Sequence, residues 1–448
     1  MMKRILKKII PIAGVLLLII AGCKCLTYML KDDTMAYSRN MMHEFYNQDN
    51  IDILFLGASH CLRSVDPFII EEETGKSTFL ACTPDQKLDA SFALLREAEK
   101  LYDLDEVYLE ISANLARRSG VYKDRKSLSS TYIVSDYMRP SLNKLNFLLN
   151  ASSSSHYINS FWPARRNWEK ITDFQYIGTI LQRKSTSKYR DYTNYYVNMN
   201  LEGIGTYMGK GYTAFSVRSA DHKFMVRADY KNIDIGDISQ DWINSVLGFI
   251  DFCGKNGIKL TLFASPVSNF ELSAKGNYDD YIAFVDDLIR DKGVQYVDFN
   301  LTKEEYMPYR QRNYYDGNHL NMYGAELFSP LVAENINGVL PEDFFHNSIK
   351  EKLEADEPDY YGVSYVDNYQ ERNRIFRLVS NIPDYFEYKV EIITGDGESH
   401  LLQEYDTNTI IPVPFEMIPG CELLVTYRAV GSGDDGTLIN YPDMEAVY

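Results

Sequence analysis

Residues 51–60 read Ile51-Asp52-Ile53-Leu54-Phe55-Leu56-Gly57-Ala58-Ser59-His60. The apolar run closed by Gly57 has the pattern of a strand buried in a parallel sheet. Ser59 then stands just past a strand's C-terminal end, and open α/β sheets bind ligands in the crevice outside those ends. Gly57 and Ala58 are small enough for a tight turn and for close approach of backbone N–H groups to a developing negative charge. By itself the segment reads first as a serine that satisfies a turn.

Working outward, Pro67 can open a helix through Glu73, and residues 77–81 make a second short strand. Leu88, Phe92, Leu95 and Ala98 recur at helical spacing over residues 88–101, and 106–111 form a third strand. After a pause, a helix is expected over 240–255, a strand over 259–264, a helix over 278–290, a strand over 295–299 and a last helix over 321–335. Strands alternating with helices predict an α/β fold, a three-layer α/β/α sandwich around a mainly parallel sheet.

The pause, residues 113–237, is rich in Tyr, Ser, Arg and Asn and lacks strong periodicity. It is too long for a plain loop and reads as an inserted cap over the sheet edge. Beyond Pro341 the composition shifts: 351–359 is charged and linker-like, and short alternating runs follow, such as 387–393 and 423–427. With Gly395-Asp396-Gly397 as turn chemistry, residues 355–448 read as a separate β-sandwich after an α/β body over 31–345.

The first 30 residues read as anchor or signal peptide rather than fold. Residues 1–32 carry Lys3, Arg4, Lys7, Lys8, Lys24 and Lys31 against Asp32, a net of +5 that leaves −22 for the rest of a chain at −17. That balance argues against a nucleic-acid partner. The apolar run 9–23 has 15 residues, fewer than the ~20 of a spanning helix and close to a signal-peptide core. Continued past Lys24 it makes a tilted anchor, whereas Ile20-Ala21-Gly22-Cys23 resembles a bacterial lipobox. Anchor, lipoprotein and free secretion stay open in that order, and the basic flank places the body outside a cell membrane in each case. Of six cysteines, Cys61, Cys82, Cys253 and Cys421 are scattered without metal spacing and read as buried free thiols. No metal or cofactor is predicted.

Some 250 residues after Ser59 comes Asp316-Gly317-Asn318-His319. A carboxylate three residues before an imidazole shares its face if both fall in one turn, so Asp316 can hold one ring nitrogen and leave the other for Ser59. The three groups are those that serine-dependent acyl transfer needs. The plain alternative has Asp316 capping the next helix and His319 as an ordinary polar residue.

The Gly-x-Ser block near the start and the Asp-x-x-His block near the end resemble the SGNH (GDSL-like) hydrolase superfamily. More narrowly, residues 52–60 and 316–321 look like its membrane-anchored Gram-positive members, related to the D-alanyl-lipoteichoic-acid biosynthesis protein and to polysaccharide O-acetyltransferases. The resemblance covers about residues 50–340. It implies Ser59 as nucleophile, His319 as base and Asp316 as its orienter, a cell-surface glycan or teichoic-acid-like substrate and, for a transferase, a membrane-bound O-acyltransferase as partner. The family's oxyanion hole also uses a Gly after the second strand and an Asn after the third. Here the second strand runs into Ala81-Cys82-Thr83, without that Gly, while Ile111-Ser112-Ala113-Asn114 places Asn114 beside the Ser59 N–H as a donor without the usual Gly-x-Asn-Asp.

Other candidates for substrate contact are His60, which on an extended backbone points away from Ser59, and Gln86 near the second strand's end. Trp162, Arg165 and Trp168 suit a sugar- or phosphate-contacting patch, or equally the insert's own core. The chain is thus expected to be an extracytoplasmic, membrane-tethered serine esterase or O-acyltransferase. The competing expectation is an inactive relative that binds glycan or an assembly partner.

Overall fold

The computed structural model describes residues 2–113, 116, 128–192, 196–197, 205–216, 223–227, 233–308 and 310–442. Its centre is a parallel sheet of β1 (Ile53–Gly57), β2 (Thr78–Cys82), β3 (Glu106–Glu110), β8 (Lys259–Ala264) and β9 (Gln295–Asp298), in the order β2-β1-β3-β8-β9. Every residue of β1, β2 and β3 is buried. Successive side chains point to opposite faces, so both faces are covered. That is why these strands read as apolar runs rather than alternations. Strand order turns outward on either side of β1, and the ligand crevice of such sheets opens at that point, beyond the strand ends.

Helix α2 (Tyr37–Phe45) precedes β1, α3 (Ser59–Ser64) and α4 (Pro67–Thr74) follow it, and α5 (Leu88–Leu101) follows β2. Asp66 caps α4 by accepting the Phe68 N–H at 2.9 Å, with Pro67 at the first helical position. Helix Met322–Asn337 packs on α3 and α4, while α5 packs with helix Gln240–Asn256. Gly57 shows how tightly β1 meets its surroundings. A Cβ there would lie 2.6 Å from Glu110 Cβ, 2.8 Å from Cys61 Cβ and 2.9 Å from Glu110 Oε2. Two of these atoms are tied directly to backbone, so Gly57→Ala should lose about 2 kcal/mol or more of stability through overpacking. Urea denaturation measures it; an unchanged midpoint would refute the close approach.

The insert is more structured than its composition suggests. It holds helices Leu128–Ser135, Leu142–Ala151 and Phe174–Lys184, then β4 (Tyr196–Val197), β5 (Gly205–Gly209), β6 (Tyr212–Phe215) and β7 (Phe224–Arg227). The β5–β6 hairpin covers the outer edge of β2, where the Leu80 N–H donates to the Lys210 carbonyl at 2.9 Å. Gly211, at φ +83°, is required there, because a Cβ would fall 1.7 Å from Leu80 O.

The C-terminal region is antiparallel: β10 (Tyr360–Asn368), β11 (Asn373–Ser380), β12 (Phe386–Ile393), β13 (Ser399–Asp406), β14 (Ile410–Pro414), β15 (Glu422–Ala429) and β16 (Thr437–Tyr441). Two sheets, β14-β11-β10-β7 and β13-β12-β15-β16, enclose a core that includes Tyr360, Phe376, Val390 and Val425. One edge strand comes from the insert: β7 pairs parallel with β10, reinforced by Lys223–Asp359 at 2.6 Å and Arg227–Asp367 at 2.8 Å. The expected linker also contains structure. Helix Ile349–Ala355 is capped by Ser348 and buries Lys352, whose Nζ donates to the Asn300 carbonyl at 2.7 Å. Burial pushes that ammonium down to about 7.

The N-terminus forms one helix, α1 (Met2–Leu30), continuing through Lys24. Its last turns pack through Leu26, Met29 and Leu30 against Trp162, Ile171 and Tyr176. Among the described residues no helix is long and apolar enough to cross a membrane.

Candidate active site

Ser59 opens α3, and Ala58 before it is extended. The turn between β1 and α3 is held from β3: the Ala58 N–H donates to Glu110 Oε2 at 2.9 Å. A helix starting at Ser59 changes the expectation for His60, which had been placed on an extended backbone. His60 instead turns into the structure and is buried. Its ring centroid lies 4.6 Å from that of His319, and its Nδ1 is 3.7 Å from Glu110 Oε1.

The other limb is a closed turn rather than a helical one. Asp316 Oδ1 accepts the N–H groups of Asn318 at 3.0 Å and His319 at 2.8 Å, and the Tyr315 N–H donates to the His319 carbonyl at 2.8 Å. The Ser268 hydroxyl donates to the Gly317 carbonyl. This Asx-type closure brings the two side chains together. Capping of helix Met322–Asn337 falls to Asn321, which accepts the N–H groups of Tyr323 and Gly324, so Asp316 is not used there.

The limbs meet. Ser59 Oγ and His319 Nε2 are 2.8 Å apart, and His319 Nδ1 lies 2.9 Å from both Asp316 oxygens. Burial would raise the Asp316 carboxyl, but its interaction with His319, then Arg63 and the Asn318 N–H, hold it well below the usual carboxylate range. His319 is pushed below its ordinary 6.5, chiefly by burial, with Arg63 and His60 adding to the effect against the pull of Asp316. Near pH 7 the pair is therefore a carboxylate and a neutral imidazole. A carboxylate only accepts, so Nδ1 carries the ring proton and Nε2 accepts from the Ser59 hydroxyl.

Arg63 is the member the sequence reading missed. It is buried one helical turn beyond Ser59, with Nη1 3.8 Å from Asp316 Oδ2. Its guanidinium lies 4.3 Å from the Phe215 ring centre and 4.7 Å from that of Tyr315. The i,i+4 spacing from Ser59 would have flagged it once a helix was assumed.

The remaining candidates lie elsewhere. Asn114 is outside the described residues. Gln86 is buried, its Nε2 donating to the Ala81 carbonyl at 2.8 Å and to Ser91 Oγ at 2.9 Å while its Oε1 accepts from Thr83 Oγ1. It closes the β2–α5 connection and has no free group to offer the crevice. Trp162 donates to the Cys23 carbonyl at 3.3 Å and lies 5.4 Å from Trp168, so Trp162 helps seat α1. Arg165 is exposed nearby on the same short helical segment, Pro163–Lys170. Of the thiols read as scattered, Cys61 and Cys82 are neighbours, with sulfurs 3.0 Å apart.

No family model and no curated protein matches the chain. Among solved structures, it is similar to a Streptococcus pneumonia protein provisionally described as a platelet activating factor. The two are 12% identical, the match covers 72% of this chain and 98% of the other, and the TM-score is 0.26. A likeness of that extent bears on neither fold nor chemistry.

Proposed function

We propose that the chain is a serine acyl-ester hydrolase or O-acyltransferase, tethered to the outer face of a cell membrane and acting on cell-surface polysaccharide. The carrying observation is the continuous hydrogen-bonded series Ser59–His319–Asp316, spanning 260 residues of sequence between serine and histidine. In this reading Ser59 Oγ attacks an ester carbonyl as His319 Nε2 takes its proton. The imidazolium then protonates the departing alcohol. Water or a sugar hydroxyl attacks the acyl-serine, giving its proton to His319 and restoring Ser59. Asp316 holds the ring and balances its charge, and the Ser59 N–H with Asn114 would stabilise the oxyanion. The substrate class follows from the resemblance of the two motif blocks. Tethering is supported by the basic flank and by six consecutive exposed apolar residues, Val15 to Ile20, on α1.

A fluorophosphonate probe tests the reading directly: the full chain should be labelled on the Ser59 peptide, and Ser59→Ala should not be labelled. A glycan-binding relative without turnover is favoured by one feature. The connection after β2, where the family places an oxyanion glycine, is closed on itself by Gln86 and Thr83.

The lowered His319 also sets a pH profile. The base is competent when neutral, so the labelling rate should rise from acid with a midpoint below 6.5 and stay level from about pH 7 to 8. A midpoint at or above 7 would contradict the burial of the ring, to which Arg63 and His60 add.

A further inference from the structure

Away from the triad, a cavity of about 390 Å³ lies where the end of α1 meets the insert. Lys24, Lys31, Arg39, Arg139 and Lys184 line it, against Asp33 and Asp136. The acids are already engaged: Lys31 lies 3.0 Å from Asp136 and Lys184 2.9 Å from Asp33. Lys24, Arg39 and Arg139 have no carboxylate partner among the described residues.

The two arginines are held by groups that do not cancel their charge. Arg39 donates to the Tyr189 carbonyl at 3.0 Å and lies between the rings of Tyr189 and Tyr192, at 3.7 and 3.8 Å. Arg139 donates to the Tyr46 carbonyl at 3.2 Å and stacks on that ring at 4.3 Å. In a chain at −17, such a concentration of cations suits an anion, and guanidinium groups suit phosphate oxygens in particular.

The surroundings identify the source of that anion. Lys24, Thr27 and Tyr28 line the cavity from α1 and Lys31 from just past its end, beginning one turn past the exposed apolar residues 15–20, about 6 Å along the axis. The insert helices packed on α1 and on one another also leave large apolar side chains in solvent: Leu142, Leu145, Leu149, Ile158, Phe161 and Phe174, with Leu142 at 78% and Phe174 at 81% exposure. Exposed apolar residues one turn along a helix from the unpaired Lys24, with more on the insert helices, are the composition of a surface that meets an anionic bilayer.

We infer that this end of the molecule lies against the membrane and that the cavity holds the phosphate of an anionic lipid headgroup. The inference shares the proposed outward, membrane-tethered placement but not the acyl chemistry.

The test uses the full chain in neutral detergent and isothermal titration with short-chain dihexanoyl phosphatidylglycerol, dihexanoyl phosphatidylcholine and inorganic phosphate. Phosphatidylglycerol should bind at least tenfold more tightly than phosphatidylcholine. The double variant Lys24→Glu/Arg139→Glu should remove that preference while its circular-dichroism melt stays as in the wild type. If the double variant melts early, Lys24→Glu alone, on an exposed residue, must still weaken phosphatidylglycerol binding severalfold. No preference, or a preference that survives the charge reversals, overturns the site. Inorganic phosphate competing as well as the lipid would overturn the lipid as occupant. The readout requires no turnover, so an inactive triad leaves it intact. The lipids are soluble, so it also stands apart from whether α1 inserts into a bilayer.

Discussion

Ser59→Ala is expected to lower hydrolysis of p-nitrophenyl acetate by about a thousandfold or more and to abolish fluorophosphonate labelling. His319→Ala should do nearly the same, and the double variant should be no worse than either single one. Groups that act as one unit are lost together, and here the unit is physical: the 2.8 Å contact from Ser59 Oγ to His319 Nε2. Independent contributions would multiply instead, so a double variant a further thousandfold slower would break the assignment. The fold should tolerate Ser59→Ala, because Ser59 is only partly buried and loses one oxygen. A melting change beyond about 1 kcal/mol, outside the usual range for such a position, would make the activity loss uninterpretable, and Ser59→Cys would then serve as the nearly isosteric control. Labelling that persists in Ser59→Ala would sink the nucleophile outright.

How far this site could be read in advance depended on which force fixes each part. The strand β1 was legible because burial on both faces forces an apolar run, and its end locates the crevice whatever follows. The same logic placed residues 316–319 after the last strand, near Ser59. The reason given for Asp316 was incomplete: the residues share no helical turn, and the backbone N–H groups of Asn318 and His319 close the loop instead. His60 points away from Ser59 only on an extended backbone, and the six-residue helix Ser59–Ser64 is too short to show a period in the sequence. Arg63 was lost with it.

Elsewhere the limits are tertiary. Nothing in Phe224-Met225-Val226-Arg227 announces a strand that pairs with residues 362–365, since a parallel edge contact leaves no local signature. Helix Ile349–Ala355 looked like linker because it is rich in Glu and Lys, yet Lys352 is buried on a backbone carbonyl. Trp162 and Trp168 carried aromatic area without a direction. Trp162 packs on α1, a segment read as anchor or signal peptide rather than fold.

Asp316→Asn should slow labelling by about a thousandfold to ten-thousandfold, the scale on which a wrong imidazole tautomer disables such a base. The two backbone N–H groups at Oδ1 fix the amide orientation, since only oxygen can accept from them. The amide nitrogen then takes the place of Oδ2, 2.9 Å from His319 Nδ1, where its N–H opposes the ring N–H that the carboxylate accepted through both oxygens. This favours the tautomer with the ring proton on Nε2, which cannot accept from Ser59. The change also strips Arg63 of its neighbouring carboxylate, 3.8 Å away. With Asp316 partly open to solvent, a loss of about 1–2 kcal/mol is expected rather than the larger figure for a sealed pair.

Because Asp316 is held below its unfolded value of 3.8, this stability is present above that pH. It fades as pH falls through the folded value, so wild type and variant should converge in strong acid. Labelling within tenfold of wild type would reduce Asp316 to a loop-closing residue. A preserved melting temperature with lost labelling would instead isolate its role at the imidazole.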